Sequence, residues 1–174
     1  MRTIRCMIAA FALFLASTDP SMSQAPVRVG VFDSRAIAIA YAQSPAFGQE
    51  IQLLKTQFQQ AKAAKNDSLA AQLETKGQTR QKLLSLQGFS IGSVSEILAL
   101  YKDAVAGVAK DANVSTVVSQ YELLYQSPEI ETVDITEPLV KRINDSPRIS
   151  AMLDGLKNNK PLPLLDAIGM KSDH

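Results

Sequence analysis

An α+β fold is expected of this chain: a small β-sheet body, a projecting antiparallel α-helical hairpin and C-terminal helices. Two strand-like segments carry that expectation. Val27 to Asp33 reads Val-Arg-Val-Gly-Val-Phe-Asp, with Val27, Val29 and Val31 at a period of two. Val114 to Tyr125 is rich in Val, Thr, Ser and Tyr, and places strands within 114–126. Between them lies a long stretch rich in Gln, Ala, Lys and Leu, with apolar residues at helical spacing. A strand that must find its partner across such an insertion makes a small sheet with helices projecting from it. That shape suits holding a partner and argues against a buried catalytic pocket.

The elements follow in order. Asp33 or Ser34 can cap a helix through the small, apolar run Arg35 to Tyr41. Ser44-Pro45 is an N-cap followed by proline in the first turn, and opens a helical arm over 44–87. Phe47, Ile51, Leu54, Phe58 and Ala61 step by four, three, four and three, the seam of a helix lying against another helix. Lys65-Asn66-Asp67 breaks the arm, and Asp67 can cap the returning helix, whose period is carried by Leu69, Leu73, Leu83, Leu84 and Leu86. Because the joining turn is short, the two helices are expected to be antiparallel. Gln87 to Val94 contains two glycines and two serines and should interrupt the helix, with another helix over 94–112. Thr136 is the expected N-cap of a helix over 137–144, with Glu137 and Pro138 in its first turn. Residues 145–174 form a further helix from Ser146-Pro147 and an extended tail through Lys160-Pro161-Leu162-Pro163-Leu164.

Composition restricts the chemistry. Arg2 and Arg5 precede the apolar run Met7 to Ala16, too short to span a bilayer, and small residues follow at Ser21 and Ser23. Residues 1–23 are therefore expected to be a signal peptide cut after Ser23, which places the mature protein in the periplasm. Cys6 is the one cysteine and leaves with that segment. An exported chain without disulfides fits a bacterial periplasm and excludes cysteine nucleophiles and cysteine metal sites. The one histidine is His174, the last residue and a poor place for a general base. Ser-His-Asp and Cys-His chemistry and a His-rich zinc site fall with it. The formal net charge is +1, too near balance for nucleic-acid binding.

The ordered stretches Val27 to Asp33, Ala109 to Val118, Leu124 to Ser127, Val133 to Thr136 and Leu139 to Ile143 resemble the Skp/OmpH family of periplasmic chaperones. The resemblance covers 27–144. It implies a jellyfish-like homo-oligomer, a trimer, in which strands of each chain build a body and helical hairpins enclose unfolded outer-membrane proteins. The arm here is shorter and less basic than that family's, and 145–174 has no counterpart in it.

No residue set reads as catalytic, and no cofactor, metal or small-molecule substrate is expected. Asp33, Asp134 and Glu137 each stand where a helix cap or first-turn acid belongs. Gly88-Phe89-Ser90-Ile91-Gly92 is too short and wrongly placed for a phosphate loop and reads as a helix turn. The candidate client-binding residues are Lys55, Phe58, Lys62, Lys65, Lys76 and Arg80 along the arm. Phe58 also belongs to the seam, which reads first as helix–helix packing. The leading expectation is a non-enzymatic holdase for unfolded envelope or outer-membrane proteins. The alternative is a structural or adaptor protein that docks one envelope partner through its hairpin or C-terminal tail.

Overall fold

A computed structural model describes residues 27–163 and Asp166. The expected signal peptide, Cys6, His174 and the end of the tail lie outside the described residues. Helix and strand are mixed, as an α+β chain requires. The central strand β1 (Arg28–Phe32) is followed by α1 (Ser34–Ala42), α2 (Pro45–Ala63), α3 (Asp67–Gly88), α4 (Ser95–Leu100) and α5 (Lys102–Asp111). Then come β2 (Thr116–Ser119), β3 (Glu131–Asp134), α6 (Thr136–Ile143) and α7 (Pro147–Lys157).

The sheet order is β2-β1-β3, and both edge strands run parallel to β1. Val29 pairs with Thr116, so the expected long-range pairing of the first strand with the region after Val114 is present. The strand segment ends at Ser119, however, and not at 126. Parallel pairing is the physical reason. A third strand parallel to β1 on its other edge cannot follow β2 through a tight hairpin. Residues 120–130 instead carry the chain back to the amino end of the sheet, and pairing resumes at Glu131, where the sequence pattern shows no strand.

The two faces of the sheet differ. Gly30, Phe32, Val117 and Val133 lie towards the helices, where Phe32 is buried and Val117 and Val133 pack on the core. Val29, Val31 and Val118 fall on the opposite face and are half-buried. The valine alternation thus marks the face away from the helical core, the reverse of the simplest reading. Gly30 explains the inversion: a Cβ there would stand 2.9 Å from Ile135 Cδ1 and 3.0 Å from Val114 Cγ2. The absent side chain lets Ile135, just before α6, and Val114, just before β2, close over the middle of β1.

The core is built around α1, which packs against α3, α6 and α7. Ile37, Ala40 and Tyr41 are buried there with Ile97, Ile135, Leu139, Val140, Ile149 and Leu153. The C-terminal helix α7 is therefore part of the body. Asp33 caps α1, its carboxylate accepting from Arg35 N at 2.9 Å, and Ser44 Oγ accepts from Phe47 N at 3.2 Å to cap α2. Asn66, and not Asp67, caps α3: Lys65 closes the turn at φ 54°, which leaves the Asn66 side chain facing Leu69 N at 3.1 Å. Thr136 is likewise not the cap of α6 but its first residue. Its hydroxyl accepts from Asp33 N at 2.9 Å and ties α6 to the end of β1.

The helix expected over 94–112 is two helices, broken at Tyr101 with φ −115° and ψ 27°. Neither Gly nor Pro marks that break. The interruption at 89–94 is as expected. Ser90 has φ 62°, and the fully buried Gln87 donates from Nε2 to Ser93 O at 2.7 Å, drawing the loop back onto the end of α3.

Candidate functional site

Two regions carry side chains that could act on another molecule: the α2–α3 pair and a cleft at the carboxyl end of the sheet. α2 and α3 pack along each other. Glu50 meets Arg80, Leu54 stands opposite Gly77, and Lys62 meets Asp67 beside the turn. On α2 the residues of the expected seam, Phe47, Ile51, Leu54, Phe58 and Ala61, are all buried or half-buried, as are Glu50 and Thr56. On α3 they include Ala70, Leu73, Gly77, Arg80, Leu84 and Gln87, again stepping by three and four. Leucines alone do not show this register, because four of these six residues are small or polar. Leu69, which a leucine count places in the seam, is exposed.

That geometry sorts the expected client-binding residues. Lys55, Lys65 and Lys76 are exposed on the arm. Lys62 is exposed, 3.9 Å from Asp67 and 5.9 Å from the centre of the half-buried Phe58 ring. Arg80 is a correction. Its Nε lies 3.1 Å from Glu50 Oε1, its Nη2 donates to Tyr41 Oη at 3.0 Å, and its guanidinium stands over the Tyr41 and Phe47 rings. It ties α2 and α3 to Tyr41 of α1 and is not an exposed cation. Sequence reasoning missed its partners because Tyr41 and Glu50 lie on two other helices.

Tyr41 donates to Glu50 Oε2 at 2.9 Å in the same cluster. Burial raises the Tyr41 pKa, the Glu50 carboxylate raises it further, and Arg80 opposes both. A raised folded-state pKa means that the hydroxyl stabilises the fold fully below the ordinary tyrosine value of about 10. That stability is lost as pH rises through the folded value. Tyr121 is shifted the same way by burial and by Asp33. Tyr41→Phe should therefore cost about 1–2 kcal/mol at neutral pH and flatten the alkaline loss of stability above about pH 10. Urea unfolding across that range reads both effects, and an unchanged alkaline limb would remove Tyr41 from the linkage.

The cleft has a volume of about 650 Å³ and opens beyond the ends of β1 and β3. Asp33, Arg35, Tyr121, Thr136, Glu137 and Lys160 are among its lining. Open parallel sheets commonly bind ligands in this position. Here the charges of Asp33 and Arg35 are satisfied by the chain itself. Asp33 Oδ2 accepts from Arg35 Nη2 at 2.7 Å and from Tyr121 Oη at 3.0 Å, while Oδ1 accepts from Arg35 N at 2.9 Å and Nε at 3.1 Å. Arg35 also donates to Leu156 O at 3.2 Å, in the last turn of α7, and to Asn159 O at 2.7 Å, just beyond it. The hydrogen bond to Asp33 holds the Arg35 pKa above its ordinary value. A carboxylate whose two oxygens are both taken up by the chain's own donors serves as a lock between α1 and the loop after β2. Among the described residues, no group of three or more His, Cys, Asp or Glu is placed to hold a metal ion, and no helix is long and apolar enough to cross a membrane. Comparison with protein-family models, curated proteins and solved structures finds no match for this chain.

Proposed function

We propose that this protein is a non-enzymatic periplasmic holdase of the Skp/OmpH type that binds unfolded envelope or outer-membrane proteins. In this reading α2 and α3 form an antiparallel hairpin projecting from the body. The observation that carries it is the separation of arm from core. Phe47 and Leu84 touch the hydrophobic core, and no described residue from Gly48 to Leu83 belongs to it. The Glu50–Arg80, Leu54–Gly77 and Lys62–Asp67 contacts fit helices running in opposite directions. An element so poor in core contacts spends little of the fold's stability when it meets a client.

A homo-oligomer, a trimer by resemblance, belongs to the same proposal. Its support is the three valines Val29, Val31 and Val118 on the sheet face away from the helices, where they lie beside Thr116, Thr132 and Asp134, together with Leu124 and Tyr125, which are 97% and 79% exposed. Several arms held by one body would gain avidity from weak contacts.

The test is suppression of aggregation of several unrelated unfolded proteins. Replacing 58–75 by a short glycine turn should leave the body's unfolding midpoint unchanged and lower suppression several-fold. Equal suppression by the shortened protein would place client binding outside the arm. No suppression by the intact protein, with capture of one folded envelope partner, would establish the adaptor alternative in its place.

A further inference from the structure

We propose that the groove between α2 and α3 at Leu53, Leu54 and Leu83 is the arm's client-binding subsite. Its occupant is an extended segment of unfolded polypeptide with a large apolar side chain a few residues from a carboxylate. This rests on the holdase reading and names the chemistry that the arm selects.

The groove has a volume of about 310 Å³ and is lined from each helix at i, i+3, i+4 and i+7, starting at Glu50 on α2 and Lys76 on α3. Its floor is apolar. Leu54 leans towards Gly77, where a Cβ would lie 3.5 Å from Leu54 Cδ2, and the seam has no side chain at that step. Glycine inside a helix costs about 1 kcal/mol relative to alanine. Leu53 points away from the seam and is 60% exposed on a helix that is otherwise polar on its outer face. An exposed leucine beside two half-buried ones is an anchor point for another apolar side chain.

Charge selects the occupant. Arg80 neutralises Glu50 at one end of the groove. Lys76, exposed at the rim, makes no ion pair among the described residues. Across 45–88 there are six basic residues and three acidic ones, so the surroundings favour an anionic flank. Length argues for an extended chain. Seven helical steps cover about 10 Å, which three extended residues span at about 3.3 Å each. The same length is under two turns of a helix, too little to seat a helical partner or a second arm by ridge-and-groove packing.

The experiment uses the full-length mature protein and labelled unstructured peptides read by fluorescence anisotropy. One peptide carries leucine flanked by aspartate, a second replaces aspartate by lysine, and a third replaces leucine by serine. The aspartate–leucine peptide should bind best. Leu53→Asp should weaken it by roughly tenfold or more, with an unchanged circular-dichroism spectrum. Lys76→Glu should transfer preference to the lysine–leucine peptide. Binding within about twofold of wild type for both variants overturns the subsite. If aggregation suppression also persists in Leu53→Asp, the holdase reading survives and the site lies elsewhere. If the unmodified protein neither binds the peptides nor suppresses aggregation, the holdase reading falls as well. A fall in light-scattering mass on Leu53→Asp would show a second arm in the groove and overturn the peptide assignment.

Discussion

Replacing Arg35 by methionine should destabilise the protein by about 3–5 kcal/mol, the cost of breaking a buried ion pair from one side. The Arg35 and Asp33 side chains are 7% and 11% exposed, so solvent gives the orphaned carboxylate little help. Three anchorages are lost together: the fork onto Asp33, the bonds to Leu156 at the end of α7 and to Asn159 beyond it, and the stacking over Tyr121 at 5.3 Å. Methionine keeps much of the apolar stem, which isolates the polar loss. Arg35→Met combined with Asp33→Asn should lose less than Arg35→Met alone, because no uncompensated charge remains while an N-capping side chain does. Urea unfolding gives the free energies, and hydrogen exchange at the end of α7 reports its release. A loss under about 1 kcal/mol would mean that the pair behaves as a surface salt bridge.

Val29→Asp separates two origins of stability in the body. Val29 is half-buried on the sheet face turned away from the helical core, so the aspartate has access to water in an isolated subunit and the subunit should stay folded. In the proposed oligomer that face is enclosed, and a carboxylate there costs about 3 kcal/mol or more. The expected result is a retained circular-dichroism spectrum with a light-scattering mass that falls to one subunit. Unchanged mass would place any assembly contact elsewhere. Gross unfolding would mean that the Val29 face is needed within the single chain.

Local signals accounted for much of the fold. Ser44-Pro45 marked the start of α2, and Ser146-Pro147 that of α7, because a proline tolerated at the first turn is a short-range steric fact. Asp33 was legible as a cap for the same reason, but its second role was not. The guanidinium that grips it comes two residues later, and the carbonyls that position that guanidinium come from residues 156 and 159. At the arm, the periodic residues of α2 announced a seam. Its counterpart on α3 was hidden, since Ala70, Gly77, Arg80 and Gln87 occupy positions where a hydrophobic count looks for leucine. Of the candidate site, Lys55, Lys65 and Lys76 are exposed as expected, whereas Arg80 is committed to Tyr41 and Glu50 on neighbouring helices.

The sequence by itself determined β1, the start of β2 and the starts of α1, α2 and α7. Each follows from backbone sterics, capping or side-chain period acting over a few residues. Only the tertiary structure decided the parallel order β2-β1-β3, the face of β1 that meets the helices, and the partners of Arg35 and Arg80. Those depend on which distant groups arrive at one place. A strand's alternation gives two faces without saying which is covered, and a cation's spacing along one helix is silent about the carboxylate that another helix brings to it.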